Sequence, residues 1–425
     1  MPPIRFIHAA DLHLDAAFSG LSRDIPADFA ERLRTATFTA FRRLLDLCER
    51  ESPDFLLLAG DVYNQEDASV SAQLALRDGF RRLESLSIPV FLVHGNHDPL
   101  ASRLRSVRWP GNVTVFGELP DAVPVFRKGE GTPLAIIHGA SHASGRETRN
   151  LAALFRRTEA CGLHVGLLHA TPGDADGVAR YAPFSQEDLK ASGMDYWALG
   201  HIHDRREVCR EPLAAYPGCT QGLHINEPGE KGCLLVTAEA RPDGGYAVRT
   251  SFRPLGPAVW KTLDMDLGGA ASLDELENRL RTGLDRAAAE VWSGCEMLLV
   301  RLRLQGRTEL DGLLRKGTTC AELADRLREG GNGVPRIWIK DIDVATRPCV
   351  ERGALLERED LLGEVFRLSE AARTASGLQA LREGPLAPLC AHARPGKALE
   401  PLTDEELARL LDDAESLCLD LLEND

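Results

Sequence analysis

The 425-residue sequence predicts an α/β layered sandwich, then a smaller α/β unit, then a helical tail. Three observations carry this. Short apolar runs alternate with amphipathic stretches over the first half, the pattern of strands layered under helices. Several runs pass directly into glycine and polar residues, so the strands deliver side chains at their ends. The alternation restarts after Pro254-Leu255-Gly256-Pro257, and strand patterns cease from about residue 350.

The first strand spans Ile4 to Ala9 and leads into Asp11-Leu12-His13. Residues 27–50 place Phe29, Leu33, Phe38, Phe41, Leu45 and Cys48 near helical spacing, which predicts one amphipathic helix covering a sheet. Phe55 to Ala59 is a second strand closed by Gly60-Asp61; a helix follows over about 69–86, and the apolar run at 90–94 enters Gly95-Asn96-His97-Asp98. The glycine lets the chain turn sharply and present a carboxamide, an imidazole and a carboxylate together. Leu134 to His138, His164 to His169 and Asp195 to Leu199 are further strands, the last running into Gly200-His201-Ile202-His203. Strands near 213–216, 232–238 and 246–252 lack intervening helices, so a largely antiparallel sheet is expected to close this part. Residues 259–344 then alternate strand, helix (272–291), strand, helical segments (308–329) and strand.

The last helix opens on the capping box Thr403-Asp404-Glu405-Glu406 and sets Leu407, Leu410, Leu411, Ala414, Leu417, Leu421 and Leu422 along one stripe. Such a stripe is buried on its own core or on a partner helix. The Gly/Pro/Ala-rich piece at 384–398 reads as a linker.

Composition narrows the class. The length exceeds one core, so two or three domains are expected, and 44% apolar residues suffice to fill them. No window approaches 18 uncharged apolar residues, and the start MPPIRFIHAADLHLD lacks the regions of a signal peptide, so a cytoplasmic protein without membrane association is expected. Ten cysteines without any C-x-x-C suggest neither a disulfide framework nor a thiolate zinc site. The net charge is −14, with −4 over residues 1–255 (28 basic, 32 acidic) and −10 over 256–425 (22 basic, 32 acidic). That argues against indiscriminate polyanion binding. Two divalent cations on the front carboxylates would nearly neutralise that half, and Arg103, Arg105 and Arg108 are either a local phosphate-binding face or a solvated helix face.

The chemistry lies in the histidines, eleven of twelve within the first 224 residues. In chain order the strand-end groups are Asp11-x-His13, Gly60-Asp61, Asn96-His97-Asp98, His169 and His201-x-His203. Imidazole and carboxylate together suit manganese, iron or zinc better than calcium or magnesium. Seven side chains, Asp11, His13, Asp61, Asn96, His169, His201 and His203, are too many for one tetrahedral zinc and suit two cations that share a carboxylate. His8, His94, His138 and His164 lie in strands and read as core or ligand-supporting groups, while His142 and His224 stay open.

These motifs resemble a calcineurin-like metallophosphoesterase, and YWALGHIHD at 196–204, YPG at 216–218 and EKGCLLV at 230–236 resemble the SbcD and YhaO type of bacterial DNA-repair exonuclease subunits. The resemblance is strong over about residues 4–253 and architectural beyond. It implies a four-layer metallophosphoesterase sandwich over 1–255, a small α/β capping domain over 256–345 and a helical C-terminal region over 346–425 that can dock a partner. By this resemblance Asp11, His13, Asp61 and His203 hold one metal; Asp61, Asn96, His169 and His201 hold the other, with Asp61 bridging and manganese the usual activator. It also implies DNA as substrate and an SbcC-like coiled-coil ATPase as partner, and it allows a homodimer.

Two cations roughly 3.5–4 Å apart activate a water and clamp phosphate oxygens for in-line phosphodiester hydrolysis without a covalent intermediate. His97, kept off the metals, stabilises developing charge or protonates the leaving oxygen, with Asp98 orienting it and raising its pKa. One departure is Asn64, where DNA-trimming relatives often carry a histidine or an acid; it leaves a hydrogen-bonding group without charge near the scissile phosphate. The alternative enzyme is a small-molecule phosphodiesterase for cyclic or dinucleotide substrates, disfavoured by the 170-residue extension. A protein phosphatase is disfavoured by GNHD in place of GNHE, and a scaffold with a structural metal site by the presence of His97.

Overall fold

The structure, a computed structural model, describes residues 2–21, 25–64, 69–101, 107–127, 129, 131–174, 180–242, 244–329, 333–349, 352–388 and 403–422. Met1–Asp266, Leu273–Gln305 and Leu313–Ala345 form one compact unit; Leu267–Ser272, Gly306–Gly312 and Thr346–Asp425 form a second.

The first unit is built on two mixed six-stranded sheets. Strands β1 (Ile4–Ala9), β2 (Phe55–Ala59), β3 (Val90–Val93), β4 (Val113–Val115), β5 (Asp121–Val125), β6 (Ala135–Ala140), β7 (Leu163–His169), β8 (Tyr196–Gly200), β9 (Arg206–Arg210), β10 (Leu213–Tyr216), β11 (Gly232–Ala240) and β12 (Tyr246–Pro254) divide between them. One sheet has the order β12-β11-β1-β2-β3-β4 and the other β5-β6-β7-β8-β10-β9. The expected antiparallel closing sheet does not form. Strand β10 joins the second sheet, parallel to β8, whereas β11 extends the first sheet antiparallel to β1 and β12 pairs antiparallel to β11 at its edge. The alternation of each strand was legible, but its pairing partner depends on which apolar faces meet in space.

Period-two burial explains the layers. In β1 and β2, Phe6, Phe55 and Leu57 face the second sheet, where they pack with Val165, Leu167, Tyr196 and Ala198. Their neighbours Ile7, Leu56 and Leu58 face outward under helices α2 (Ala36–Glu51) and α3 (Val70–Ser85). Both faces of each strand are covered, so the runs read as continuously apolar. The single helix expected at 27–50 is two, α1 (Ala27–Arg34) and α2. They break at Thr35, whose hydroxyl donates to the Glu31 carbonyl and competes with the helical ladder.

Strands β13 (Ala258–Asp266), β14 (Met297–Thr308) and β15 (Arg336–Pro348) make a third sheet, in which β13 and β14 are parallel across the helix Leu273–Glu290. Trp260, Met297, Leu299 and Trp338 share a core with Phe29 and Leu33 of α1. The Trp260 indole donates to the Gly222 carbonyl at 3.0 Å.

In the second unit the helix Asp404–Leu422 starts on the capping box: Thr403 N donates to Glu406 Oε2 at 2.7 Å, and Glu406 N to Thr403 Oγ1 at 3.2 Å. Of its expected leucine stripe Leu407 is buried, while Leu410, Leu417 and Leu421 stand 45%, 56% and 66% exposed; the helix instead buries Leu419, outside that stripe, against Leu355, Leu362 and Phe366. The buried side is drawn round by Glu415, which Arg352 and Arg373 hold by ion pairs at 2.7 and 3.1 Å. Only residues 384–388 of the expected linker are among the described residues.

A buried histidine bridges the two sheets near the site. His8, fully buried, donates from Nε2 to the Leu199 carbonyl at 3.1 Å and accepts at Nδ1 from the Tyr196 hydroxyl at 2.9 Å. Burial pushes its pKa from 6.5 down to about 3, so it is neutral in the fold, whereas the unfolded chain takes up a proton below 6.5. Stability contributed by neutral His8 is therefore complete above pH 6.5 and lost as pH falls towards 3, at about 1.4 kcal/mol per unit. Urea unfolding of metal-stripped protein at pH 7 and pH 5 should show this loss, and His8→Gln, which does not titrate, should remove its share of the slope.

Candidate metal centre

The loops after β1 and β2 keep running side by side beyond the sheet. Asp11 N donates to Gly60 O, His13 N to Asp61 O and Leu14 N to Val62 O, each at 3.0 Å. This pairing bends the backbone to positive φ at Asp11 (52°), His13 (42°) and Asp61 (51°), and His201 lies at 106°. Such conformations cost about 1–3 kcal/mol each and persist only where neighbours hold them. Here His201 N donates to both carboxylate oxygens of Asp11, at 3.1 and 3.0 Å, and His97 N donates to Asp61 Oδ1 at 2.9 Å.

Asp98 completes that scaffold, and it does so away from His97. Its carboxylate is fully buried and accepts from the amides of Gly95 (2.7 Å), Val62 (3.0 Å) and Asp61 (3.2 Å), with His94 Nδ1 at 3.4 Å. The expected orientation of His97 by Asp98 is thus not what the geometry shows. A carboxylate at this turn gains more from three amides than from one exposed ring. Gly95 is needed for close approach: a Cβ there would lie 2.3 Å from Asp61 Oδ1.

Two donor clusters converge at these strand ends, Asp61–His169–His201 and Asp11–His13–His203. In the first, His169 Nε2 lies 3.3 Å from Asp61 Oδ2 and 3.0 Å from Asn96 Oδ1, and His201 Nδ1 is 3.1 Å from the same Asn96 oxygen. In the second, the Nε2 atoms of His13 and His203 are 3.1 Å apart, with Asp11 Oδ1 at 3.9 Å from His203. All seven predicted ligands therefore lie in this region. His97 is exposed, packs edge-on to His13 with ring centroids 5.2 Å apart, and its imidazole has no hydrogen-bond partner among the described residues.

The donor chemistry fits cations. Three rings donate outward from Nδ1: His169 to Ala59 O at 2.9 Å, His13 to Asn64 Oδ1 at 2.6 Å, and His203 to Glu227 Oε1 at 2.5 Å. Each bond sets the tautomer and leaves the Nε2 lone pair facing inward, as metal-binding imidazoles require. Burial pushes the Asp11 carboxyl up, and it would do the same to Asp61, but His169, His13 and His97 hold Asp61 below the usual carboxylate range. Against its own burial, His169 is raised to about 9 by Asp61. Buried carboxylates that recruit protons onto neighbouring imidazoles mark a place that demands positive charge.

The other histidines sort by contact. His138 Nε2 and His164 Nδ1 are 3.0 Å apart within the second sheet, and His142 Nε2 donates to the His169 carbonyl at 2.6 Å, bracing that ligand from behind. His224 Nδ1 accepts from Asn226 N at 3.1 Å. Arg103 and Arg105 lie outside the described residues, and Arg108 is exposed. Sequence reasoning missed Glu227, which comes from an irregular loop with no periodic signal. It also gave Asn64 a place at the phosphate, whereas its carboxamide oxygen holds His13.

Fold and clusters together define a two-metal phosphoesterase active site. Residues 4–205 match the calcineurin-like phosphoesterase family, and residues 260–347 match the middle domain of the metallophosphoesterase YhaO. The chain is 34% identical over 388 residues to the metallophosphoesterase YhaO of Bacillus subtilis (strain 168), covering 90% of this chain and 91% of that one. It is 27% identical over 319 residues to the DNA double-strand break repair protein Mre11 of Aeropyrum pernix (68% and 69% covered). Against the protein of that name from Sulfurisphaera tokodaii it is 26% identical over 216 residues (48% and 50% covered). The chain belongs to the calcineurin-like metallophosphoesterases of the YhaO family.

Glu227→Ala should weaken cation binding at Asp11–His13–His203 by about 10–100-fold, because His203 loses the acceptor that sets its tautomer. Asn64→Ala should weaken the same site through His13. Calorimetric titration with manganese should show one weakened step and one preserved step in both variants.

Proposed function

We propose that this chain is a manganese-dependent phosphodiesterase acting on DNA, an exonuclease or endonuclease subunit of DNA repair in the cytoplasm. The observation that carries this reading is the exposed imidazole of His97, which has no hydrogen-bond partner among the described residues, beside two donor clusters that demand positive charge. In this reading Asp11, His13, Asp61 and His203 hold one cation and Asp61, Asn96, His169 and His201 the other. Manganese suits their mixture of imidazole, carboxylate and carboxamide. When bound, two such cations lower the pKa of the attacking water and offset phosphate charge.

The chain's own groups do the rest. Asp61 Oδ1, held by the His97 amide, keeps the shared carboxylate in one orientation, and Asp98 fixes the loop that carries Asn96 and His97. His97 Nδ1 or Nε2 is then free to donate a proton to the leaving oxygen. DNA as substrate is supported by the likeness to the Mre11 relatives, which are named as double-strand break repair proteins. Residues 256–345 serve as a capping domain over that substrate in this proposal, and 346–425 as the docking region for an SbcC-like coiled-coil ATPase. The exposed seam Leu410, Ala414, Leu417 and Leu421 supports the second role, since its 4-3-4 spacing is that of a helix-pairing stripe. A homodimer is part of the same proposal.

Asp61→Ala should abolish hydrolysis and weaken both cations, because it removes the carboxylate they share. His97→Ala should keep both cations and slow turnover by about 10²–10⁴-fold, the usual contribution of a general acid. Elemental analysis beside turnover separates the two cases, and metal loss in the His97 variant would place that ring on a cation.

With manganese and low salt the full chain should cleave linear duplex or single-stranded DNA, and binding should weaken as salt rises because phosphate contacts release counterions. Assays on linear duplex, circular single-stranded DNA and a cyclic dinucleotide decide the substrate. Efficient hydrolysis of the cyclic dinucleotide with no cleavage of any DNA would overturn the DNA reading.

A further inference from the structure

The fold gathers a third donor group, His203, Cys219 and Glu227, whose ligating atoms all lie within 4.8 Å of one another. Each is anchored by its own piece of backbone. Cys219, 1% exposed, is tied by its amide to the His203 carbonyl at 3.3 Å and by its carbonyl to Gly232 N at 3.1 Å. The turn before it depends on Gly218, at φ 81°, where a Cβ would lie 2.7 Å from the His203 carbonyl oxygen. Glu227 is pinned through Oε2 by the Leu223 amide at 2.6 Å, which aims Oε1 at His203. The side chains of His203 and Glu227 are 30% and 20% exposed, so the group opens to solvent with sulfur at its floor.

We propose that His203, Cys219 and Glu227 bind a thiophilic divalent cation such as zinc or cadmium, and that filling this site shuts off hydrolysis because His203 belongs to both centres. The inhibitory half rests on the two-cation reading given above; the binding half does not. Imidazole, thiolate and carboxylate are the donors zinc prefers, while manganese gains little from sulfur. On binding, the cation replaces the thiol proton, which leaves to solvent, and takes the Nδ1 lone pair of His203. The imidazole proton moves from Nδ1 to Nε2. His203 then has no lone pair to offer beside His13 Nε2 and Asp11 Oδ1, and the hydrolytic centre loses a donor. Motif reasoning points away from such a site, since thiolate zinc sites are recognised by paired cysteines and this one has a single thiol joined to its partners by folding.

The test titrates cadmium into the manganese-loaded full chain and into Cys219→Ser, following the ultraviolet sulfur-to-cadmium charge-transfer band and hydrolysis of a simple aryl phosphodiester. The wild type should show a band component that the variant lacks. The cadmium needed for inhibition should rise on the order of tenfold or more in the variant, whose hydrolysis without cadmium is unchanged. Equal bands in both proteins would assign cadmium to other cysteines, such as the exposed Cys161 and Cys349, and overturn the site. A wild-type band with hydrolysis unaffected overturns the coupling. Should manganese alone support no hydrolysis, the two-cation reading fails and the band still decides the site. Cys219→Ala repeats the comparison if the serine variant folds poorly.

Discussion

The site depends on how closely β2 and β8, strands of opposite sheets, approach at their C-terminal ends. Packed sheets ordinarily stand about 10 Å apart, far enough for two layers of side chains. Here a Cβ on Gly200 would sit 1.9 Å from the Ala59 carbonyl oxygen, so the backbones nearly touch. Only glycine permits this, and it brings Asp11, His13, Asp61 and Asn96 of one sheet within bonding range of His169, His201 and His203 of the other. The His8 bridge to Tyr196 and Leu199 lies just inside the same pinch and holds β1 and β8 in register.

Given that approach, the remaining problem is to keep charged groups buried without collapse. The structure solves it with outward hydrogen bonds: Ala59, Asn64 and Glu227 each take one imidazole proton, and Asp98 takes three amides. The three imidazoles are thereby hydrogen-bonded on their far sides, which leaves each Nε2 facing the centre, where cations fit. The left-handed backbone at Asp11, His13 and Asp61 is the conformational cost of pointing these groups inward, offset by the paired loops.

This division of labour bears on how variants in such a protein should be read. Groups that touch only other protein atoms, such as Asp98 and His142, govern whether the donor side chains stand in place, whereas His97 is exposed beside them and, in the proposed mechanism, acts on substrate. A loss of activity at the two kinds of position has different causes and different signatures in metal content.

Much was legible in the chain alone, for physical reasons. An apolar run with both faces covered must be a buried strand, and a glycine followed by imidazole or carboxylate at its end has few uses other than a site. Hence β1, β2, β3, β7 and β8 could be named from local pattern, as could the six aspartates and histidines that gather in the two donor clusters. The capping box at Thr403 was likewise local. What the chain alone did not show were relations between distant segments: the allocation of β10, β11 and β12 to two sheets, the turning of the last helix's buried side towards Leu419 and Glu415, and the partners of Asp98, Asn64 and Glu227. Hydrophobic period and turn chemistry act over a few residues and are written in the chain, whereas which carboxylate meets which amide or imidazole is decided by the packing of whole sheets.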